Sequence, residues 1–309
     1  MQTIGKYIKS MRESRGISRK ELAEGICSES NLGRIERGLV QPYAFNLERL
    51  LEKLGQNPNI IVGLLVDEIT ADFNRIRQKL DFYLMNKRID EAEILINRLK
   101  GNQNFVEQMT VQQYILMNEA NLLIIKGERS PKIYGILMEA IKITTPALNI
   151  REIGTRFCLT KQDIRIINMM AILHYNDGEL DEAIDIMYGL KQNMDRRFHD
   201  SVSKGGTYSL IIYNLAKYLG MAGRYDEAIK LCDFGKIVCI ESGALWFIPM
   251  MLYNKAWCLH EMGKLDEYAH LVRQAYMSAI VFEQHDHAET IKIHAKRAGM
   301  DLDDREQSS

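Results

Sequence analysis

The sequence predicts an all-α protein made of a small helical head and a body of helical repeats. Three observations carry that reading. Only five prolines occur in 309 residues, while Leu, Ile, Ala, Glu and Lys abound, so helix is favoured and rarely interrupted. Two short capped segments flank a tight glycine turn near the N-terminus. From residue 87 onward a turn signature recurs at intervals of 40 to 51 residues, carrying Asp-Glu in every copy but the degenerate one at Gly127.

The head builds up in order. A first helix runs from about Thr3 to Arg15, with Ile4, Ile8 and Met11 at helical spacing, and Gly16 ends it. Ser18 caps a second helix that carries Leu22 and Ala23 on its inner face, and Gly25-Ile26-Cys27 breaks it. Ser28 caps a third helix with Leu32 and Ile35 turned inward, and Gly38 closes it at the C′ position. A fourth begins after Pro42, offers Phe45, Leu47, Leu50, Leu51 and Leu54 to the core, and stops at Gly55. Together these make one small core. The second and third helices with their tight turn form a helix-turn-helix, the unit that lays its second helix in the DNA major groove.

The polar face of that third helix is Ser28, Glu29, Ser30, Asn31, Arg34 and Arg37. Arg34 suits a bidentate contact with guanine, Glu29 can accept from cytosine, and Ser30 projects beside them. Asn31 can read adenine or hold a phosphate. Arg19, Lys20, Gln41 and Tyr43 flank the groove as phosphate contacts. For each of them the plain alternative is a solvated helix face.

Residues 3–55 resemble the Xre/lambda-repressor-type helix-turn-helix. They are most similar to the version in the Gram-positive peptide-pheromone regulators called RRNPP, where the usual LAxxxGVS turn is one residue shorter, as in LAEGICSES here. RIERG, Arg34 to Gly38, is a frequent end of the recognition helix in that family. Arg19 stands where many relatives carry Gln, which suits a phosphate contact better than a base contact. The resemblance also implies that Glu36 pairs with Arg12 and ties the first helix to the third.

The body carries an internal repeat. KRIDEA (87–92), GELDEA (178–183), GRYDEA (223–228) and GKLDEY (263–268) each lie between two apolar-periodic segments, with a degenerate copy at Gly127. A helix, a glycine turn, an acidic start and a second helix form the tetratricopeptide (TPR) pattern. Glycine ends the first helix in a left-handed cap, and Asp and Glu favour the N-terminus of the next. Such units stack into a right-handed α-solenoid whose concave face is lined by the first helix of each pair. Asn118, Asn214 and Asn254 share one place in the repeat, two residues before Ala120, Ala216 and Ala256. That place faces the groove in TPR domains, and Asn can both donate to and accept from the backbone of an extended peptide. The resemblance implies that such asparagines bind the pheromone peptide; the alternative is hydrogen bonding between helices. Arg165, Tyr175, Lys217, Tyr218 and Trp257 are weaker groove candidates.

Much else is excluded or bland. Residues 1–55 hold ten Lys/Arg and seven Asp/Glu, whereas the rest holds 30 and 34, so a slightly basic head sits on a slightly acidic body. Cys27, Cys158, Cys232, Cys239 and Cys258 contain no CxxC pair and read as reduced thiols, Cys232 and Cys239 falling on one helix face. His285, His287 and His294 do not share a helix face as a metal set. No Walker, HExxH or GxSxG motif occurs, so neither enzyme, metal nor cofactor is expected. The polar stretch 196–209 is expected to be a loop, and the tail DLDDREQSS is expected to fray. No apolar run approaches a membrane span and the N-terminus has no apolar signal core, so a cytoplasmic protein is expected.

The expected layout is a DNA-binding head over 1–60, a linker over 61–72, a repeat body over 73–300 for peptide binding and dimerisation, and a tail over 301–309. The expected function is a transcription regulator whose body binds a short signalling peptide in quorum sensing, and whose homodimer binds a palindromic operator in double-stranded DNA. A second reading is a TPR module that binds a partner protein, with the head as a DNA tether. A third is a Rap-type protein that inhibits a kinase pathway, against which the intact helix-turn-helix argues.

Overall fold

The structure, a computed structural model, describes residues 4–56, 68–128, 130–198 and 201–302. Every regular element among them is helical. The linker at 61–72 and the tail fall largely outside the described residues, as do residues 1–3. No helix among those described is long and apolar enough to cross a membrane.

Four short helices form the head: α1 (Ile4–Ser14), α2 (Arg19–Ala23), α3 (Glu29–Glu36) and α4 (Ala44–Lys53). The caps stand where the sequence places them. Ser18 Oγ accepts from Glu21 N and Ser28 Oγ accepts from Asn31 N, both at 3.1 Å. Gly38 adopts φ 74°, closing α3 through its own N–H to Ile35 and that of Leu39 to Arg34. Ile8, Leu22, Leu32, Ile35, Leu47, Leu50, Leu51 and Leu54 fill the core.

The body continues with α5 (Glu68–Met85), α6 (Ile89–Lys100), α7 (Gln103–Val106), α8 (Met109–Ile125), α9 (Ser130–Thr144), α10 (Lys161–Asn176) and α11 (Leu180–Arg197). It ends with α12 (Ser201–Met221), α13 (Tyr225–Ser242), α14 (Ile248–Glu261), α15 (Leu265–Val281) and α16 (His285–Arg297). Two compact units divide the chain: residues 1–179 with 192–199, and residues 180–191 with 200–309. In the first unit α8 packs on α9 and α9 on α10. In the second α12, α13, α14, α15 and α16 pack each on the next. Small residues let them approach: Ala256, Ala275, Ala279, Ala288 and Ala295 are buried between α14, α15 and α16.

The repeat signature marks the turns. The residues that precede α6, α11, α13 and α15, namely Arg88, Glu179, Arg224 and Lys264, share φ near −85° and ψ between 57° and 79°. One residue earlier the chain turns through positive φ, at Gly178, Gly223 and Gly263 but at Lys87 in the first copy. A further copy opens α16, with Glu283 at φ 54°, Gln284 at the shared cap conformation, and Asp286 in the first turn.

The stretch 196–209 departs from the expectation of a loop. α11 runs to Arg197 and α12 starts at Ser201, with a kink where Gly205 takes φ 59° and ψ −162°. The segment is polar because its arginines are ties to backbone: Arg196 bonds Phe157 O at 3.2 Å, and Arg197 is buried. No proline stands there, and the Gly205-Gly206 pair kinks the helix without ending it.

Candidate functional site

The two arms of the helix-turn-helix are held by one carboxylate. Glu36, 2% exposed, accepts from Arg12 Nε at 2.6 Å and from Arg19 Nε at 2.7 Å. Burial works to raise its pKa, but the two guanidiniums outweigh it and hold the carboxyl below its ordinary value. The expected Arg12–Glu36 tie is therefore present. Arg19, expected on phosphate, spends its Nε on Glu36 and keeps a half-exposed side chain.

Of the ten residues expected at DNA, Asn31 is half-buried and the other nine are exposed. Arg19, Glu29, Ser30, Gly33 and Arg37 line one shallow concavity of about 400 Å³. Gly33 leaves open space beside its Cα, so the middle of α3 is unobstructed. Arg34 and Arg37 form no ion pair among the described residues, and Lys20 is equally unengaged. Unpaired guanidiniums along a capped helix with an unobstructed face are chemically suited to base edges and phosphates. Tyr43, exposed at the start of α4, stacks on Phe45 with ring centroids 5.5 Å apart.

The peptide candidates are divided between the units. In the first, Asn118 is buried and donates to Tyr114 O within its own helix at 2.7 Å, while Arg165 is exposed and Tyr175 half-buried. In the second, Asn254 is 7% exposed and donates to Tyr213 O at 3.3 Å, and Asn214 is 6% exposed. Tyr218 is buried, with Lys217 Nζ 5.9 Å from its ring centroid, and burial pushes the Lys217 ammonium below its ordinary pKa. Trp257 is half-buried and packs edge-on against Tyr225.

One cleft of the second unit was not read from the sequence. It measures about 310 Å³, with walls of Tyr253, Trp257 and Tyr268 and a rim of His260, Glu261, His294 and Arg297. Tyr253 Oη bonds His294 Nδ1, and burial pushes the phenol's pKa above its ordinary value. The helical spacing of 253, 257, 260 and 261 was visible, but the partners on α15 and α16 were not. No group of His, Cys, Asp or Glu among the described residues is arranged to hold a metal ion. Cys232, Cys239 and Cys258 are buried and Cys27 and Cys158 half-buried, all as free thiols.

Comparison with known proteins places these features. A helix-turn-helix model matches residues 8–61, and a model of the RNPP family C-terminal domain matches residues 137–297. Bacillus thuringiensis PlcR, solved in complex with the peptide PapR7 and DNA, shares 21% identity at a TM-score of 0.61, over 94% of this chain and 99% of that one. The apo competence regulator ComR of Streptococcus vestibularis shares 16% identity at a TM-score of 0.51, over 97% and 99%. ComR from S. thermophilus, in complex with DNA and its signalling peptide ComS, shares 17% identity at a TM-score of 0.50, over 96% and 100%. No curated protein matches the chain by sequence search.

Proposed function

We propose that this chain, which belongs to the RNPP family, is a DNA-binding transcription regulator whose body binds a short signalling peptide. One observation carries the reading: an intact helix-turn-helix presents α3 with Arg34 and Arg37 exposed and unpaired. The matched family model and the likeness to PlcR and ComR support it. Arg34, Ser30 and Glu29 read base edges. Ser28, Asn31, Arg37, Lys20, Gln41, Tyr43 and the free part of Arg19 hold the phosphate backbone. A single head meets too few base pairs for tight specific binding, so the regulator acts as a homodimer on a rough palindrome. It is a regulator rather than an enzyme.

On the body, Asn118, Arg165, Asn214, Lys217, Tyr218 and Asn254 are the sequence-derived peptide contacts. The 310 Å³ cleft adds an aromatic-walled place for an apolar peptide side chain. Asn118 and Asn254 already donate to helix carbonyls, so the cleft supports peptide binding better than those two do.

The test selects DNA from random duplexes with the full chain. It then follows mobility shifts while synthetic peptides of five to ten residues, encoded beside the gene, are added, with calorimetry of the same peptides on the free chain. Enrichment of a palindrome and a peptide-dependent change in its binding support the reading. A chain that enriches no sequence is not a specific regulator. A chain that binds its operator indifferently to every peptide, yet retains a protein partner through the body, is the tethered module.

A further inference from the structure

α4 has a polar face that does not meet water. Asn46, Glu52 and Lys53 are buried, and the Arg49 side chain is nearly so. Asn46 Oδ1 accepts from Thr110 at 3.1 Å, Arg49 bonds Glu52 and Gln162, and Glu52 Oε2 accepts from Lys161 N at 3.0 Å. These are contacts between the head and α8 and α10 of the same unit. The turn glycines make room for more. A Cβ on Gly25 would lie 2.1 Å from Thr144 Cα, and one on Gly55 would lie 2.2 Å from Arg197 O, and both glycines stand at positive φ. At the other end of α4, Phe45 packs on Phe73, which in turn packs on Phe105 and Tyr114.

Arg197 is at the centre of the polar end. It is the last residue of α11 and is 6% exposed. Its Nη2 donates to Glu52 O at 2.7 Å and Lys53 O at 2.8 Å, two carbonyls in the last turn of α4, where the helix no longer supplies its full set of donors. Its Nη1 donates to Leu159 O and to Asn193 Oδ1 at 3.4 Å. Arg197 O in turn accepts from Arg15 Nη1 of the head at 3.3 Å. One planar fork therefore joins the end of α4 to the body through donors of fixed relative direction, which a flexible ammonium cannot reproduce.

We propose that Arg197 is a positioning residue for DNA binding: it fixes the head on the first unit, so the spacing of operator half-sites is set by the body and not by a freely swinging head. The contacts named lie on α4, the turns that flank it, α1 and the turn between α2 and α3 at Gly25, while the reading face of α3 remains exposed. The fixed head is therefore presented to DNA and not masked. Inserting one base pair between half-sites shifts and rotates one of them about the DNA axis, and a fixed head cannot follow.

This inference rests on the DNA-binding reading, and the experiment separates the two. An operator is selected from random duplexes with the full-length chain. Affinity is then measured for that operator, for a single half-site, and for spacers lengthened or shortened by one to three base pairs. The wild type should lose roughly ten-fold or more per inserted base pair, comparable to the cost of a mismatched pair. Arg197→Met should bind the single half-site as the wild type does, yet flatten the spacer profile to within about three-fold. Arg197→Lys should restore part of the profile. If Arg197→Met does not fold, Arg49→Met removes the head's own guanidinium from the same junction and should flatten the profile in the same sense. A uniform loss across all spacers and the half-site makes Arg197 merely structural and overturns the proposal. So does a wild-type profile that is already flat, or a selected site with one half only. Failure to select any DNA removes the underlying reading instead.

Discussion

α3 and α4 are neighbours of similar size and both amphipathic, yet they use their polar faces in opposite ways. On α3 the polar side chains Glu29, Ser30, Arg34 and Arg37 are exposed, and the two arginines have no ionic partner among the described residues. On α4 the polar side chains Asn46, Arg49, Glu52 and Lys53 are enclosed and each is bonded. Buried charge is kept where every donor and acceptor has a partner. Unpaired charge is kept at the surface, where a polyanion can meet it without a large desolvation cost. The contrast teaches that one helix of the head is left open, as the proposed DNA contact requires, and the next is committed to the body.

The comparison breaks most visibly at Glu36, the carboxylate on the inner side of α3. Glu36→Ala leaves the buried Arg12 guanidinium without its main partner, and removing one member of a buried pair costs about 3–5 kcal/mol. Denaturation of the head, followed separately from the body, should show that loss. The carboxyl is held below its ordinary value near 4.5, so its contribution is fully present above that pH and is lost as pH falls through the lower folded value. Glu36→Gln should flatten the acid limb of the stability curve.

Gly25→Ala sharpens the comparison from the docking side. An alanine there meets positive φ, worth about 1–2 kcal/mol, and backbone of α9 at a distance no Cβ tolerates. Melting temperature should fall, and amide exchange at α4 should rise more than at α8. Unchanged exchange at α4 would show that the head does not rest on the body through this turn. Arg34→Ala acts on the other face. It should cost about 1–3 kcal/mol on selected operator, little on scrambled DNA, and nothing in melting temperature. Equal losses on both DNAs would demote Arg34 to a phosphate contact. Smallest of all, Lys20→Ala should weaken every duplex alike and reduce the slope of affinity against salt by about one ion.

The helices of the head and their caps were legible because they depend on local chemistry. Ser18, Ser28 and Gly38 act within four residues of themselves. The repeat turns were legible where glycine marks them. The copy opening at Glu283 was hidden because it loses the glycine and also the second acid, replaced by His287, whereas the copy at Lys87 keeps Asp-Glu-Ala. The polar face of α4 was read as nothing in particular, since its partners Thr110, Lys161, Gln162 and Arg197 lie more than fifty residues away along the chain. The same distance hid Arg197 within a stretch whose polarity suggested a loop. The cleft of the second unit required Tyr268 and His294 to be brought beside Tyr253 and Trp257, which helical spacing within α14 alone does not report.

Arginine labelling with phenylglyoxal, read residue by residue by mass spectrometry with and without selected operator DNA, tests the contrast most directly. Arg34 and Arg37 should react readily in the free chain and become protected on DNA, whereas Arg49 and Arg197 should stay unreactive in both states. Reaction of Arg49 and Arg197 as fast as Arg34 in the folded chain, or an Arg34 that DNA does not protect, would contradict the account.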